Sequence, residues 1–95
     1  MGHFVYIIFS KSANRFYIGE TQNISERLDQ HKNGYFKGSS TVIANDWILY
    51  FKISCENIII ARKIERHIKN MKSRKYIENL TKYDEMVNKL LERYS

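Results

Sequence analysis

Six consecutive apolar residues, Phe4-Val5-Tyr6-Ile7-Ile8-Phe9, constrain this chain more than any other segment. The run is β-branched and aromatic, which favours a buried pleated strand. It is far shorter than the roughly 20 residues needed to span a bilayer. Ser10 to Asn14 is small and polar and reads as a hairpin loop. Arg15-Phe16-Tyr17-Ile18-Gly19 then reads as the returning strand. A loop centred between Lys11 and Ser12 predicts Tyr6 directly opposite Tyr17. Such partners have Cβ atoms about 4.5–5.5 Å apart, so two phenols would share one site.

The rest of the chain alternates helical and strand patterns. Asn23-Ile24-Ser25-Glu26 resembles a capping box and predicts a helix from about Ile24 to Asn33. Gly34 is placed to end it in the left-handed conformation. At 100° per residue Ile24, Leu28, Arg27 and His31 share one side, so Arg27 and His31 should face inward beside an apolar anchor. Tyr35 to Asp46 reads as a plain loop, whose Lys37 and hydroxyls could touch a phosphate. Trp47 to Ile53 is a third strand, and Asn57 is placed to cap a helix from about Ile58 to Lys72. Its apolar stripe is Ile60, Ala61, Ile64, Ile68 and Met71, with Glu65 just beyond one edge. Tyr76–Leu80 continues as a short helix, and Tyr83 to Tyr94 is amphipathic. The expected class is α/β (α+β): a small three-stranded antiparallel sheet flanked by helices, in the order β-β-α-β-α-α. Ninety-five residues predict one domain, 1–95.

The net charge of +6 sits in one element. Arg62 to Tyr76 holds seven basic residues against the single acid Glu65, and the remainder of the chain is neutral. Such a patch favours a nucleic-acid partner, with Lys69, Lys72, Arg74 and Lys75 meeting DNA phosphates. A membrane surface is disfavoured, because the segment lacks a bulky aromatic face. No signal-peptide pattern precedes Phe4, so the expectation is a cytoplasmic protein. Cys55 is the only cysteine, which excludes an intrachain disulfide and a cysteine-based zinc site, and reads as a small buried hydrophobe. His3 and His67 read as plain surface residues.

Val5-Tyr6-Ile7 and Tyr17-Ile18-Gly19, then Arg27, His31 four residues later, and Glu65 on a later helix resemble the GIY-YIG endonuclease superfamily. The likeness is to its small stand-alone bacterial members, which are similar to the N-terminal catalytic domain of the excision-repair nuclease. Ala61 to Lys69, followed by Lys72-Ser73-Arg74-Lys75, is similar to the glutamate helix and basic segment of those members. The first motif departs from the family pattern, reading Val-Tyr-Ile rather than Gly-Ile-Tyr. The resemblance implies cleavage of DNA phosphodiesters, as in DNA repair or nucleic-acid processing, with one divalent cation, usually Mg²⁺ or else Mn²⁺. Glu65 matches the metal ligand and Arg27 the contact to the scissile phosphate. Tyr6 and Tyr17 match the motif tyrosines, His31 a position held by histidine or tyrosine, and Gly19 the motif glycine. Asn79 is a candidate for a late-helix asparagine, without a fixed register.

The residue types suit that chemistry. A guanidinium offers a fixed fork of donors to the oxygens of a phosphodiester transition state. Mg²⁺ keeps several waters and needs only one or two carboxylates. A tyrosine is the favoured base with His31 in support, although Tyr6, Tyr17 and His31 all remain candidates. Two other readings stand beside this one: a catalytically weak nucleic-acid-binding module of the same fold, and a protein-interaction domain. In either, Glu65 would simply pair with Lys69 along its helix.

Overall fold

The opening apolar run becomes the middle strand of a three-stranded antiparallel sheet, ordered β2-β1-β3. The computed structural model describes residues 2–35 and 40–95. In chain order they form β1 (His3–Ser10), β2 (Arg15–Thr21), α1 (Ile24–Lys32), a 3-10 turn (Ser40–Ile43), β3 (Trp47–Cys55), α2 (Ile58–Met71), α3 (Arg74–Lys82) and α4 (Asp84–Tyr94). The order has one helix more than expected. Lys72 adopts a left-handed conformation (φ 48°) and Ser73 caps α3, which separates α2 from α3 and leaves α4 as a third helix after β3. Lys37, Gly38 and Ser39, read as loop residues, lie outside the described residues, and the loop's end carries the 3-10 turn.

The hairpin register differs from the expected one by two residues. Tyr6 lies opposite Gly19, Tyr17 opposite Ile8, and the closing pair is Ser10 with Arg15. Ser10 stays in the strand because its hydroxyl donates to Asp46 and accepts from the Ala13 amide. Asp46 also accepts from the Ser12 amide at 2.9 Å. These hydrogen bonds, the one from Ser10 first, hold its carboxyl down at about 2. Asn14 then takes the left-handed turn position (φ 54°). A shift of two preserves the alternation of faces, so both tyrosines still point to one side, now diagonally. Their ring centroids are 6.4 Å apart.

Strand alternation divides the core in two. Val5, Ile7, Ile53 and Cys55 pack with Ile60, Ala61, Ile64 and Ile68 of α2, together with Ile77, Leu80 and Leu90. Tyr6, Ile8 and Trp47 form the second cluster, covered by Tyr17, Ile24 and Leu28. Helix α1 therefore sits on one face of the sheet and α2–α4 on the other. Met71, expected in the buried stripe, is 44% exposed, because it ends the helix beyond the last core position, Ile68. Cys55 is buried as expected. His3 and His67 are not plain surface residues: His3 is buried and bonded to Glu20 at 2.8 Å, and His67 Nδ1 lies 2.8 Å from the Tyr94 hydroxyl. Burial, with Arg93 nearby, pulls the His67 pKa down.

Candidate active site

Because β2 is an edge strand, residues from both layers can meet around its free side. They do so in a cleft of about 360 Å³ lined by Tyr6, Tyr17, Gly19, Glu20 and Arg27 from the sheet and α1, and by Arg62, Glu65, Arg66, Lys69 and Asn70 from α2. Each side chain is placed by a local cause. Asn23 accepts the Glu26 amide at 3.0 Å and fixes the start of α1, which orients Arg27 and His31. At its end the Tyr35 amide bonds the Gln30 carbonyl and the Gly34 amide bonds the His31 carbonyl, with Gly34 at φ +69°. That is a Schellman closure around the expected glycine. Asn57 likewise accepts the Ile60 amide and sets α2, whose buried stripe leaves Glu65 half-buried at the cleft.

Behind the cleft runs a buried polar chain. The Tyr6 hydroxyl lies 2.8 Å from His31 Nε2, and His31 Nδ1 lies 2.9 Å from Thr41 Oγ1. Thr41 is anchored in turn by its carbonyl, which accepts from the Trp47 indole at 2.8 Å. The Arg27 guanidinium lies near Tyr6 and favours its ionised form. In the tautomer with Nε2 bare, the Tyr6 phenol donates its proton to His31 Nε2. His31 then carries its proton on Nδ1 and donates it to Thr41. Burial, reinforced by Arg27, pulls the His31 pKa down to about 4, so it is neutral at pH 7. Burial, with Tyr17 next, pushes the Tyr6 phenol well above its usual range, although Arg27 opposes the shift. Tyr6 is therefore a phenol at rest.

Gly19 faces Tyr6 across the hairpin. A Cβ there would lie 2.6 Å from Tyr6 Cζ and closer still to the hydroxyl. Gly19→Ala must displace a ring that is 2% exposed, so a loss of about 2 kcal/mol in unfolding free energy is expected. Chemical denaturation of both proteins checks this, and an unchanged midpoint would contradict the close approach.

Glu65 carries an ion pair with Lys69 at 3.0 Å, and Lys69 Nζ lies 5.8 Å above the Tyr17 ring. The pairing along α2 thus coexists with a position in the cleft. Among the described residues no cluster of three or more His, Cys, Asp or Glu could hold a metal ion. A ligand-rich transition-metal site is therefore not what this cleft offers. One or two oxygen donors, Glu65 and the neighbouring Glu20, suit a hard cation that keeps its waters.

The expected phosphate contacts divide. Lys69 lies in the cleft, and Lys72 and Lys75 are exposed. Arg74 is engaged in packing, 5.0 Å over Phe16 and 3.1 Å from the Asn14 side chain. Sequence reasoning missed four cleft residues, Glu20, Arg62, Arg66 and Asn70, and also Thr41. Arg62, Arg66 and Asn70 fall at three- and four-residue steps along the same helix as Glu65, which was the available signal. Asn79 does not line the cleft, whereas Asn70 does.

A three-stranded sheet flanked by helices thus carries two tyrosines, an arginine and a glutamate around one cleft. The sequence model of the GIY-YIG catalytic domain matches residues 2–79, most of the chain, and the protein belongs to that family. Membership gives it a nuclease-type function. No curated protein and no solved structure matches the chain. No helix among the described residues is long and apolar enough to cross a membrane.

Proposed function

We propose that the chain, acting over 1–95 as one domain, is a divalent-metal-dependent DNA endonuclease that cuts phosphodiester bonds. Its setting would be cytoplasmic DNA repair or nucleic-acid processing, with structure-selective cutting. The single observation that supports this reading most is the convergence of Tyr6, Tyr17, Arg27 and Glu65 on one cleft from opposite layers of the sheet. Arg27 directs its fork at a non-bridging phosphate oxygen, where negative charge grows in the transition state. Glu65 would hold Mg²⁺, or Mn²⁺ in its place, and the bound cation would supply Lewis-acid stabilisation of the phosphate and leaving oxygen.

The attacking water needs a proton acceptor. Tyr6 at rest cannot offer a phenolate, but it has an acceptor behind it. It can take a proton from water as it passes its own to His31 Nε2, while Nδ1–H keeps its bond to Thr41. His31, with its low pKa, holds that proton only transiently. Tyr17, less buried than Tyr6, orients the water and phosphate.

The basic segment holds the backbone without reading bases. Replacing Lys69, Lys72, Arg74 and Lys75 together with Gln should flatten the plot of log affinity against log salt. The slope should fall by up to about 3.6 if all four neutralise phosphates. An unchanged slope would contradict the assignment.

One observation favours a second reading, a catalytically weak binding module: the Lys69 ammonium already neutralises Glu65 at 3.0 Å. Nicking of supercoiled DNA with and without Mg²⁺ separates the two. Metal-dependent nicking supports the nuclease. Binding without cleavage of any substrate supports the module.

A further inference from the structure

A second depression, larger than the catalytic cleft, opens on the outer face of α2 against the end of α4. Its volume is about 560 Å³, within the range of roughly 300–1,000 Å³ typical of small-ligand sites. Its apolar surface comes from Ile59 and Met71, which are 63% and 44% exposed on the most basic helix of the chain. His67 and Tyr94 add two rings, locked by the 2.8 Å hydrogen bond and standing edge to face at 69°. Arg62 and Arg66 line this groove and also the catalytic cleft, and Asn70 joins them in both. The two depressions therefore adjoin along one helix, with Arg62, Arg66 and Asn70 as their common rim.

A strand whose phosphate sits in the cleft has a path over that shared edge into the groove. The guanidiniums meet the backbone and the apolar surface meets the base. In a duplex the faces of the bases are covered by their neighbours. Only an unpaired base presents an open face to Ile59, Met71 and the rings, and such stacking is tolerant of sequence.

Building on the nuclease reading above, we propose that the α2–α4 groove binds an unpaired DNA nucleotide next to the scissile phosphate, so that the enzyme's substrates are duplexes carrying a single-stranded flap or bulge. Ile59 and Met71 form the platform, and Arg62 and Arg66 guide the backbone from the cleft. This gives structure selectivity a physical source: discrimination comes from a base that is free to leave the stack, not from base-edge hydrogen bonds.

The test is equilibrium binding by the full chain in EDTA, so that no cleavage intervenes. The probes are a fully paired duplex and the same duplex with one unpaired 2-aminopurine nucleotide at a nick. The unpaired probe should bind about tenfold more tightly, and its fluorescence should rise on binding as the base leaves its quenching DNA neighbours for the aliphatic platform. Ile59→Asp and Met71→Asp alter exposed positions, and each should bring the affinity ratio back toward one. Equal affinity for the two probes, or a ratio unmoved by both substitutions, would overturn the proposal. So would a substitution that abolished self-association in sedimentation while leaving the ratio intact, because the groove would then belong to a second copy of this chain. If the ratio behaves as expected but Mg²⁺ produces no cutting, the groove stands and the nuclease reading falls. If cutting is normal but the ratio is one, the groove alone falls.

Discussion

Glu65→Gln should lower Mg²⁺-dependent nicking by at least about a hundredfold, a barrier increase near 2.7 kcal/mol. The amide keeps the volume of the side chain but removes the anionic oxygen a hard cation requires. The fold should barely respond. Glu65 is half-buried and its i, i+4 partner is Lys69, a kind of pair that contributes only a few tenths of a kcal/mol. Thermal melting should therefore match wild type while the gel assay differs sharply. Equal cleavage by the two proteins would remove Glu65 from the metal site.

The second large effect concerns His31 and acid stability. His31 is 1% exposed and titrates at about 4 in the fold, against about 6.5 in the unfolded chain. Between those values the unfolded chain binds the extra proton, so stability rises with pH across the window. The contribution is full above pH 6.5, is lost as pH falls toward 4, and amounts to about 3 kcal/mol. Below 4 both states are protonated and the difference stops growing. His31→Gln should be less stable at pH 7, because Tyr6 and Thr41 lose a matched partner, but its stability should change much less between pH 6.5 and 4. Denaturant titrations at several pH values measure the difference between the two curves. Subtracting the curves removes the contribution of His67, which shifts in the same direction. A parallel pH dependence in both proteins would mean that His31 is not held neutral.

Local signals carried much of this architecture. The capping asparagines at 23 and 57, Gly34, and the apolar stripe from Ile60 to Ile68 all act within one or two helical turns, and each ends where its chemistry dictates. The hairpin faces were legible from alternation, but the register was not. It depends on Asp46, more than thirty residues away in sequence, bonding Ser10 and Ser12. Thr41 behind His31 was hidden for the same reason: a long-range contact leaves no periodic trace. The split between α2 and α3 turns on one left-handed lysine, Lys72, in a run without glycine or proline to mark it. Glu20 was hidden by strand parity, since it alternates with Tyr17 and Gly19 and reaches the cleft only because β2 is an edge strand. The burial of His3 and the bond from His67 to Tyr94 likewise join distant segments.

Metal-dependent cleavage is measured by nicking with the purified full chain on a panel of supercoiled, plain duplex, flapped and single-stranded DNA, with Mg²⁺ titrated against EDTA. Cut product should appear with Mg²⁺, disappear with EDTA and be strongly reduced for Arg27→Ala. DNA that is bound but left uncut at every concentration of Mg²⁺ or Mn²⁺ would contradict the nuclease reading.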